Sequence, residues 1–142
     1  MIEWSNLNKD SFMKIEYIGY FVFCIEKIKG LLFSWFGREV ELLDISVSEG
    51  IKTIPFVDYI NRIEDNIRRL SEMGFKPPYM LPCKEWKGEE EDLIRLDYRD
   101  VNRWFESLIK MESLLNILNK RIRKTGTYSV GHHYTRHMLR LA

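Results

Sequence analysis

One long stretch toward the C-terminal end repeats apolar residues every three or four positions for about three heptads. The residues concerned are Val101, Trp104, Leu108, Met111, Leu115, Leu118 and Ile122. This spacing places the side chains on one stripe of an α-helix. A stripe of this length is typical of a seam between packed helices, so the sequence predicts a helix over 98–125 that packs against other helices.

The same spacing predicts a second, shorter helix over 57–73. Its apolar residues are Ile60, Ile63, Ile67 and Leu70. Gly74 follows as a C-terminal signal, and the prolines between 75 and 86 indicate a linker with little regular structure. We expect the apolar residues of both helices to share one core, in which Trp104, Leu108, Met111 and Leu115 meet Ile63, Ile67 and Leu70.

A third helix is predicted over 10–36. Asp10 or Ser11 supplies its N-cap, because either side-chain oxygen accepts a free backbone N–H of the first turn. Gly30 is a candidate end, although 31–36 continue the apolar character. Apolar side chains occupy nearly every face, which indicates cover on several sides, and part of that cover is expected from another subunit. The candidate partner-binding residues of this helix are Tyr17, Tyr20 and Phe23.

The fold is therefore predicted to be mainly α: a small bundle of three main helices with extended linkers in one domain, 1–126. Within it, 39–48 contains β-branched residues in partial alternation, which fits either one short β-strand or an extended segment. The residues after the third helix favour extended backbone, and 127–142 is predicted to be an extended C-terminal docking arm. The candidate partner-binding residues of the arm are Tyr128, Tyr134, Arg136, Met138, Arg140 and Leu141.

Catalytic and ligand-binding motifs are not evident. Gly126 and Gly131 are isolated, so they form no phosphate-binding loop. His133 and His137 are four residues apart, which suits a metal on one helix face, but no further ligand follows the pattern of a zinc site. Cys24 lies in an apolar run, where a thiol is unreactive. We predict no enzyme activity, no cofactor, no metal and no small-molecule substrate.

The charge and hydropathy of the sequence bear on whether its partner is a nucleic acid, a membrane or another protein. The net charge is +1, which argues against a protein that binds nucleic acid by neutralising phosphates. The longest apolar run, 17–25, is far shorter than the roughly 20 residues of a membrane span, and no secretory signal pattern opens the chain. Two scattered cysteines indicate reduced thiols. A basic C-terminal quarter with interleaved tyrosines leaves a second interpretation open, a small regulatory or nucleic-acid-binding module.

A helix-start phrase occurs twice. Ile-Asn-Arg-Ile at 60–63 aligns with Val-Asn-Arg-Trp at 101–104, an offset of 41 residues. A degenerate third copy, 10–16, aligns with 58–64. A repeat predicts that Asn61 and Asn102 hold equivalent first-turn positions and that the arginines after them have similar environments. The alternative is a chance likeness between two ordinary amphipathic helix starts.

The stretch at 53–67, followed by Trp86 and then by 97–104, resembles proteins encoded in the tail-gene regions of phages and prophages of Gram-positive bacteria. Those proteins carry repeated phrases of the type Asp-Leu-Asn-Arg-Ile-Glu-x-Asn-Ile, and the likeness covers roughly 53–130. It implies a structural role in a tail, baseplate or neck, with other virion proteins and copies of itself as partners. It implies no catalytic residue. The expected location is the virion, after synthesis in the host cytoplasm.

Overall fold

The computed structural model describes residues 1–11, 14–46, 56–73, 76–77, 80–86 and 96–125. Its helices are α1 (Ile15–Phe36), α2 (Phe56–Met73) and α3 (Tyr98–Thr125), and each contacts the other two. The predicted mainly α bundle of three helices is confirmed. No β-strand occurs among these residues, and the described part of 39–48 is an extended segment without strand pairing.

Helix α1 begins at Ile15 and not at Asp10. The reason is a local turn in which Asn8 accepts the backbone N–H of Asp10 through its side chain and that of Ser11 through its carbonyl. Asp10 and Ser11 are therefore part of the turn and do not cap the helix. Since 10–14 precede the helix, the third copy of the helix-start phrase does not correspond to a helix start.

Helix α1 also continues through Gly30, which the sequence offered as a possible end. It ends at Phe36, where Gly37 adopts the left-handed conformation with φ of 65°. The N–H of Gly37 donates to the carbonyl of Phe33 at 2.9 Å, and the N–H of Arg38 donates to that of Leu32 at 3.1 Å. This is the glycine C-cap that ends many helices.

The predicted core is confirmed. Trp104, Leu108, Met111 and Leu115 of α3 belong to one buried cluster with Ile63, Ile67 and Leu70 of α2. Helix α1 adds a third set of side chains to the same cluster: Phe21, Cys24, Ile25, Ile28 and Leu32. The seam of α3 thus faces both other helices.

The three helices run in the same direction. Phe21 contacts Phe105 near the start of α1 and α3, with ring centroids 5.6 Å apart, and Lys27 pairs with Glu112 further along both helices at 2.9 Å. Helix α2 follows the same direction as α1, because Arg38, just beyond the end of α1, donates to the carbonyl of Met73 at the end of α2 at 2.7 Å.

A short turn cannot join two neighbouring helices that run in the same direction. Each connecting segment therefore has to run back along the length of the bundle before the next helix begins. The segment 38–46 runs back in this way beside α2. As the residue numbers of the segment rise, the numbers of the α2 residues that they contact fall. These contacts are Arg38 with Met73, Glu41 with Arg69, Leu43 with Asn66 and Ile45 with Tyr59. Extended segments antiparallel to the helices are therefore a main feature of the fold.

Each groove between two helices holds one such segment. Residues 1–7 lie between α1 and α3, where Glu3 N donates to Tyr20 and Ile2 N donates to Glu112. The segment 38–46 lies beside α2 and lines an open groove with α1. The segment 80–86 lies between α2 and α3, since Lys84 contacts a carboxylate of each helix.

Candidate functional site

The candidate residues of the sequence fall in two regions. Tyr17, Tyr20 and Phe23 lie on α1 and are described below. The six candidates of the C-terminal arm, all within 127–142, lie outside the described residues, and so do the histidines at 132, 133 and 137.

Tyr17 and Tyr20 contact the N-terminal segment of their own chain. Trp4 meets Tyr17 edge-on at 5.4 Å between ring centroids and stacks on Phe105 at 3.8 Å with an interplanar angle of 9°. The hydroxyl oxygen of Tyr20 accepts the backbone N–H of Glu3 at 2.9 Å. Both tyrosines are half-buried, so the chain itself covers part of the surface that was expected to meet a partner.

The outer face of α1 remains uncovered within the described part of the chain. Phe23 is 64% exposed, Phe33 58% and Ile15 52%. Their spacing of eight and ten residues places them within about 80° of one another around the helix. We call Ile15, Phe23 and Phe33 the outer stripe. Large exposed side chains grouped on one helix face are typical of a protein interaction site.

A groove adjoins the C-terminal end of the outer stripe. It has a volume of about 790 Å³ and lies between α1 and the segment 38–43, with Gly30 and Phe33 on the helix side. Apart from its sequence neighbours and the backbone of its own helix, no atom of the described residues lies within 4 Å of the position that a Cβ on Gly30 would occupy, so packing among these residues does not require glycine there. The stripe and this groove form one continuous candidate surface for a protein partner.

Three asparagines hold the extended segments by the same arrangement, which we call an amide clamp. In each clamp the side-chain oxygen of Asn accepts the backbone N–H of one residue, and its side-chain NH₂ donates to the carbonyl of that same residue. The clamps, with the two distances for each, are Asn102 on Leu7 (2.8 and 2.9 Å), Asn66 on Leu43 (2.8 and 2.9 Å) and Asn61 on Trp86 (2.7 and 2.7 Å).

The two asparagines of the repeated phrase therefore make equivalent contacts, whereas the two arginines do not. Asn61 and Asn102 each clamp an extended segment, although they lie in the second turn of their helices and not in the first. Arg62 is half-exposed and donates to the carbonyl of Asp44 at 3.1 Å, whereas Arg103 is 7% exposed and pairs with Glu64. The predicted similarity of the arginine environments is wrong, because only Arg103 faces another helix.

The charged groups of the interior are engaged with one another. Glu64 accepts hydrogen bonds from Arg103 and from the indole N–H of Trp104, while Asp100 accepts from Lys84 at 2.8 Å. From the sequence, Glu64 is one of three acids near the start of the second helix, where the helix dipole stabilises a carboxylate. The signal that could have identified it as buried is its position one residue after Ile63, on the edge of the apolar stripe.

The two thiols of the described residues are not activated by their surroundings. Cys24 is buried and Cys83 half-buried, both as free thiols, and burial raises the pKa of each above its ordinary value. A thiol with a raised pKa is a poor nucleophile at neutral pH. Among the described residues, no three histidine, cysteine or acidic side chains are grouped so that they could hold a metal ion.

Comparison of the chain with models of protein families, with curated proteins and with solved structures gave no match. The likeness to phage tail-region proteins accordingly depends on the sequence phrases at 53–67 and 97–104. None of the described helices has the length and apolar character needed to cross a membrane.

Proposed function

We propose that this chain is a structural component of a phage tail, baseplate or neck and that it acts by protein–protein assembly. The observation that carries the assembly role is the outer stripe of α1. Its three side chains are each more than half exposed, and removing apolar surface from water is the dominant favourable contribution to most protein–protein association.

The amide clamps support the connection to the phage proteins. The resemblance depends on a repeated Asn-Arg phrase with a tryptophan between the copies, and both asparagines bind an extended segment by the same two hydrogen bonds. The tryptophan of the phrase, Trp86, is the residue that Asn61 holds. The two asparagines of the phrase thus have one role within this chain, and this shared role is what supports the proposal.

The direct test is to look for the protein in particles. We expect mass spectrometry of purified virions to detect the chain, and particles made without its gene to lack a complete tail. The double variant Phe23→Ser with Phe33→Ser should fold as the parent does, by circular dichroism and thermal unfolding, but should not enter particles.

Leu81→Ser is the matched control, because Leu81 is 49% exposed but lies in the extended segment 80–86, away from the outer stripe. It should enter particles normally. Particles that are complete without the gene would contradict the proposal. A monomer that binds DNA with an affinity falling steeply with salt would favour the nucleic-acid-binding module instead.

A further inference from the structure

The groove between α1 and α3 has a filled part and an open part. Residues 1–7 lie in the filled part, where two side chains of α3, Asn102 and Glu112, hold their backbone. The open part is a cavity of about 570 Å³ next to Met1. Because the two parts belong to one groove, the way in which the filled part holds a chain indicates what the open part can bind.

The walls of the open part are apolar and reach the solvent. Leu31 and Trp35 of α1 are half-buried, and Ile117 of α3 is 50% exposed. Leu31 and Trp35 also pack against the core cluster, which fixes their positions. Removing apolar surface of this kind from water favours binding, and a concave site lined by it is the usual form of a binding site. The open part therefore suits apolar side chains of a ligand.

Asn116 gives the open part a group that can bind backbone. It projects from α3 at an angle about midway between Asn102 and Glu112, the two residues that hold 1–7. Asn116 lines the cavity, is half-exposed and has no hydrogen-bond partner among the described residues. An amide clamp needs a free N–H and a free C=O on one residue of the bound chain. A helix uses these groups internally, so a clamp by Asn116 selects an extended chain.

The exposed charge of the open part is positive. Lys120 is exposed and has no ion pair among the described residues. Lys27 is 33% exposed where it pairs with Glu112, whose side chain is only 3% exposed. The Glu112 carboxylate is already bound by Lys27 and by the N–H of Ile2. A ligand that carries carboxylates therefore complements this side of the groove.

We propose that the open part of the groove binds an extended, acidic segment of a partner protein. Asn116 clamps one residue of the segment, as Asn102 clamps Leu7. Successive side chains of an extended chain point to opposite sides, so apolar side chains pack on Ile117 and its neighbours while carboxylates on the other side lie near Lys120. This surface is separate from the outer stripe, so a failure of the proposal would leave the assembly role of the stripe untouched.

Fluorescence anisotropy of the full chain with two labelled synthetic peptides tests the proposal. One peptide alternates leucine and glutamate, and the other, of equal length, alternates leucine and lysine. We expect the glutamate peptide to bind with a Kd below about 1 mM and the lysine peptide to bind about tenfold more weakly. Ile117→Asp should abolish binding of the glutamate peptide, because it places a charge on the apolar wall. Asn116→Ala should weaken binding about tenfold through the loss of two hydrogen bonds.

Two further variants separate a local effect from a loss of fold. Lys120→Glu should weaken binding of the glutamate peptide and strengthen binding of the lysine peptide, a reversal that a misfolded variant does not produce. Phe33→Ser alters the groove between α1 and the segment 38–43 and should leave both affinities unchanged. Circular dichroism should give the same helix content for every variant.

Three results would overturn the proposal. The first is the absence of binding by the parent chain at about 1 mM glutamate peptide, and the second is equal affinity for the two peptides. The third is binding that survives both Asn116→Ala and Ile117→Asp. Sedimentation at two protein concentrations tests a second copy as the occupant. A mass that rises with concentration in the parent but not in Ile117→Asp would assign the cavity to that copy and would equally overturn the proposal.

Discussion

Arg103 of α3 and Glu64 of α2 form a bidentate ion pair. The Nη1 and Nη2 atoms of the guanidinium lie 2.5 and 2.7 Å from the two carboxylate oxygens, and the side chains are 8% and 1% exposed. Burial works against the arginine cation, but the hydrogen bonds and charge of Glu64 outweigh it and raise the pKa of Arg103. Both guanidinium nitrogens of Arg103 that face α2 are therefore bound, and the contact is shielded from water.

Removing one member of this pair should destabilise the protein strongly. We expect Arg103→Ala to lower the free energy of unfolding by about 3–5 kcal/mol, because it leaves the Glu64 carboxylate buried without its partner. Urea denaturation measures the change. The double variant Glu64→Gln with Arg103→Met should lose clearly less, because both charges of the pair are removed together, Gln still accepts from Trp104, and the buried Asp100 keeps its ion pair with Lys84. Equal losses in both variants would show that packing, and not charge, explains the effect.

The core seam of α3 predicts a second result. Leu108 is 0% exposed, and Leu108→Ala should cost about 2–5 kcal/mol through lost burial and the cavity left behind. Thermal unfolding followed by circular dichroism measures it. Glu106→Ala is the control on the same helix: the Glu106 side chain is 51% exposed, and its truncation should stay within about 0.5 kcal/mol. A melting temperature that barely moves for Leu108→Ala would contradict the assigned core.

The amide clamps predict local release of the segments they hold. Asn66 is fully buried, so Asn66→Ala should cost about 1–3 kcal/mol, because Leu43 loses two hydrogen bonds. Hydrogen exchange should rise in 38–46 and much less in 1–7. Asn102→Ala should do the reverse. If either variant raised hydrogen exchange equally in both segments, the prediction that each clamp holds only its own segment would be wrong.

Acid should weaken the contact between the N-terminal segment and α3. Burial favours the neutral acid of Glu112, but hydrogen bonds from Lys27 and from the N–H of Ile2 outweigh it, so its pKa lies below the ordinary 4.5. A carboxyl with a lowered pKa stabilises the fold above its unfolded pKa, and this stabilisation is lost as the pH falls through the folded value.

The free energy of unfolding should therefore fall between about pH 5 and pH 3, and Glu112→Gln should fall less over that range. At pH 7 this variant should be less stable than the parent by about 1–3 kcal/mol. The control is Glu106→Gln. The Glu106 side chain is 51% exposed and pairs with Lys110 on the surface, so this variant should show the same stability and the same acid dependence as the parent. An acid dependence in Glu112→Gln identical to that of the parent would rule out Glu112 as its source.

The three- and four-residue spacing of apolar side chains was enough to predict the helices and the residues that they bury, because this spacing is a local property of the sequence. The second helix begins one residue earlier than predicted and the third has the predicted bounds, whereas the start of α1 was missed because Asn8 recruits Asp10 and Ser11 into a turn. Apolar spacing is a strong signal for a stripe, but it does not say which neighbour the stripe faces.

The parallel arrangement and the returning segments could not be predicted in this way. The described segment 38–46 has no helical period and no strand partner, and it is held by side chains that are distant in sequence, among them Asn66, Arg69 and Tyr59. The repeated Asn-Arg phrase did carry a signal, since Asn61 and Asn102 share one structural role. Of the candidate interaction residues, Phe23 is exposed as an interaction residue would be, while Tyr17 and Tyr20 contact the chain's own N-terminal segment.

The position of residues 1–7 has a consequence for synthesis on the ribosome. Ile2 and Glu112 are separated by 110 residues and Leu7 and Asn102 by 95, so residues 1–7 meet their groove only after α3 has emerged from the ribosome. At about 5–20 residues per second this interval lasts roughly 5–20 s. During it the aromatic side chains of Trp4 and Tyr20, which the folded chain covers in part, are exposed on the nascent chain.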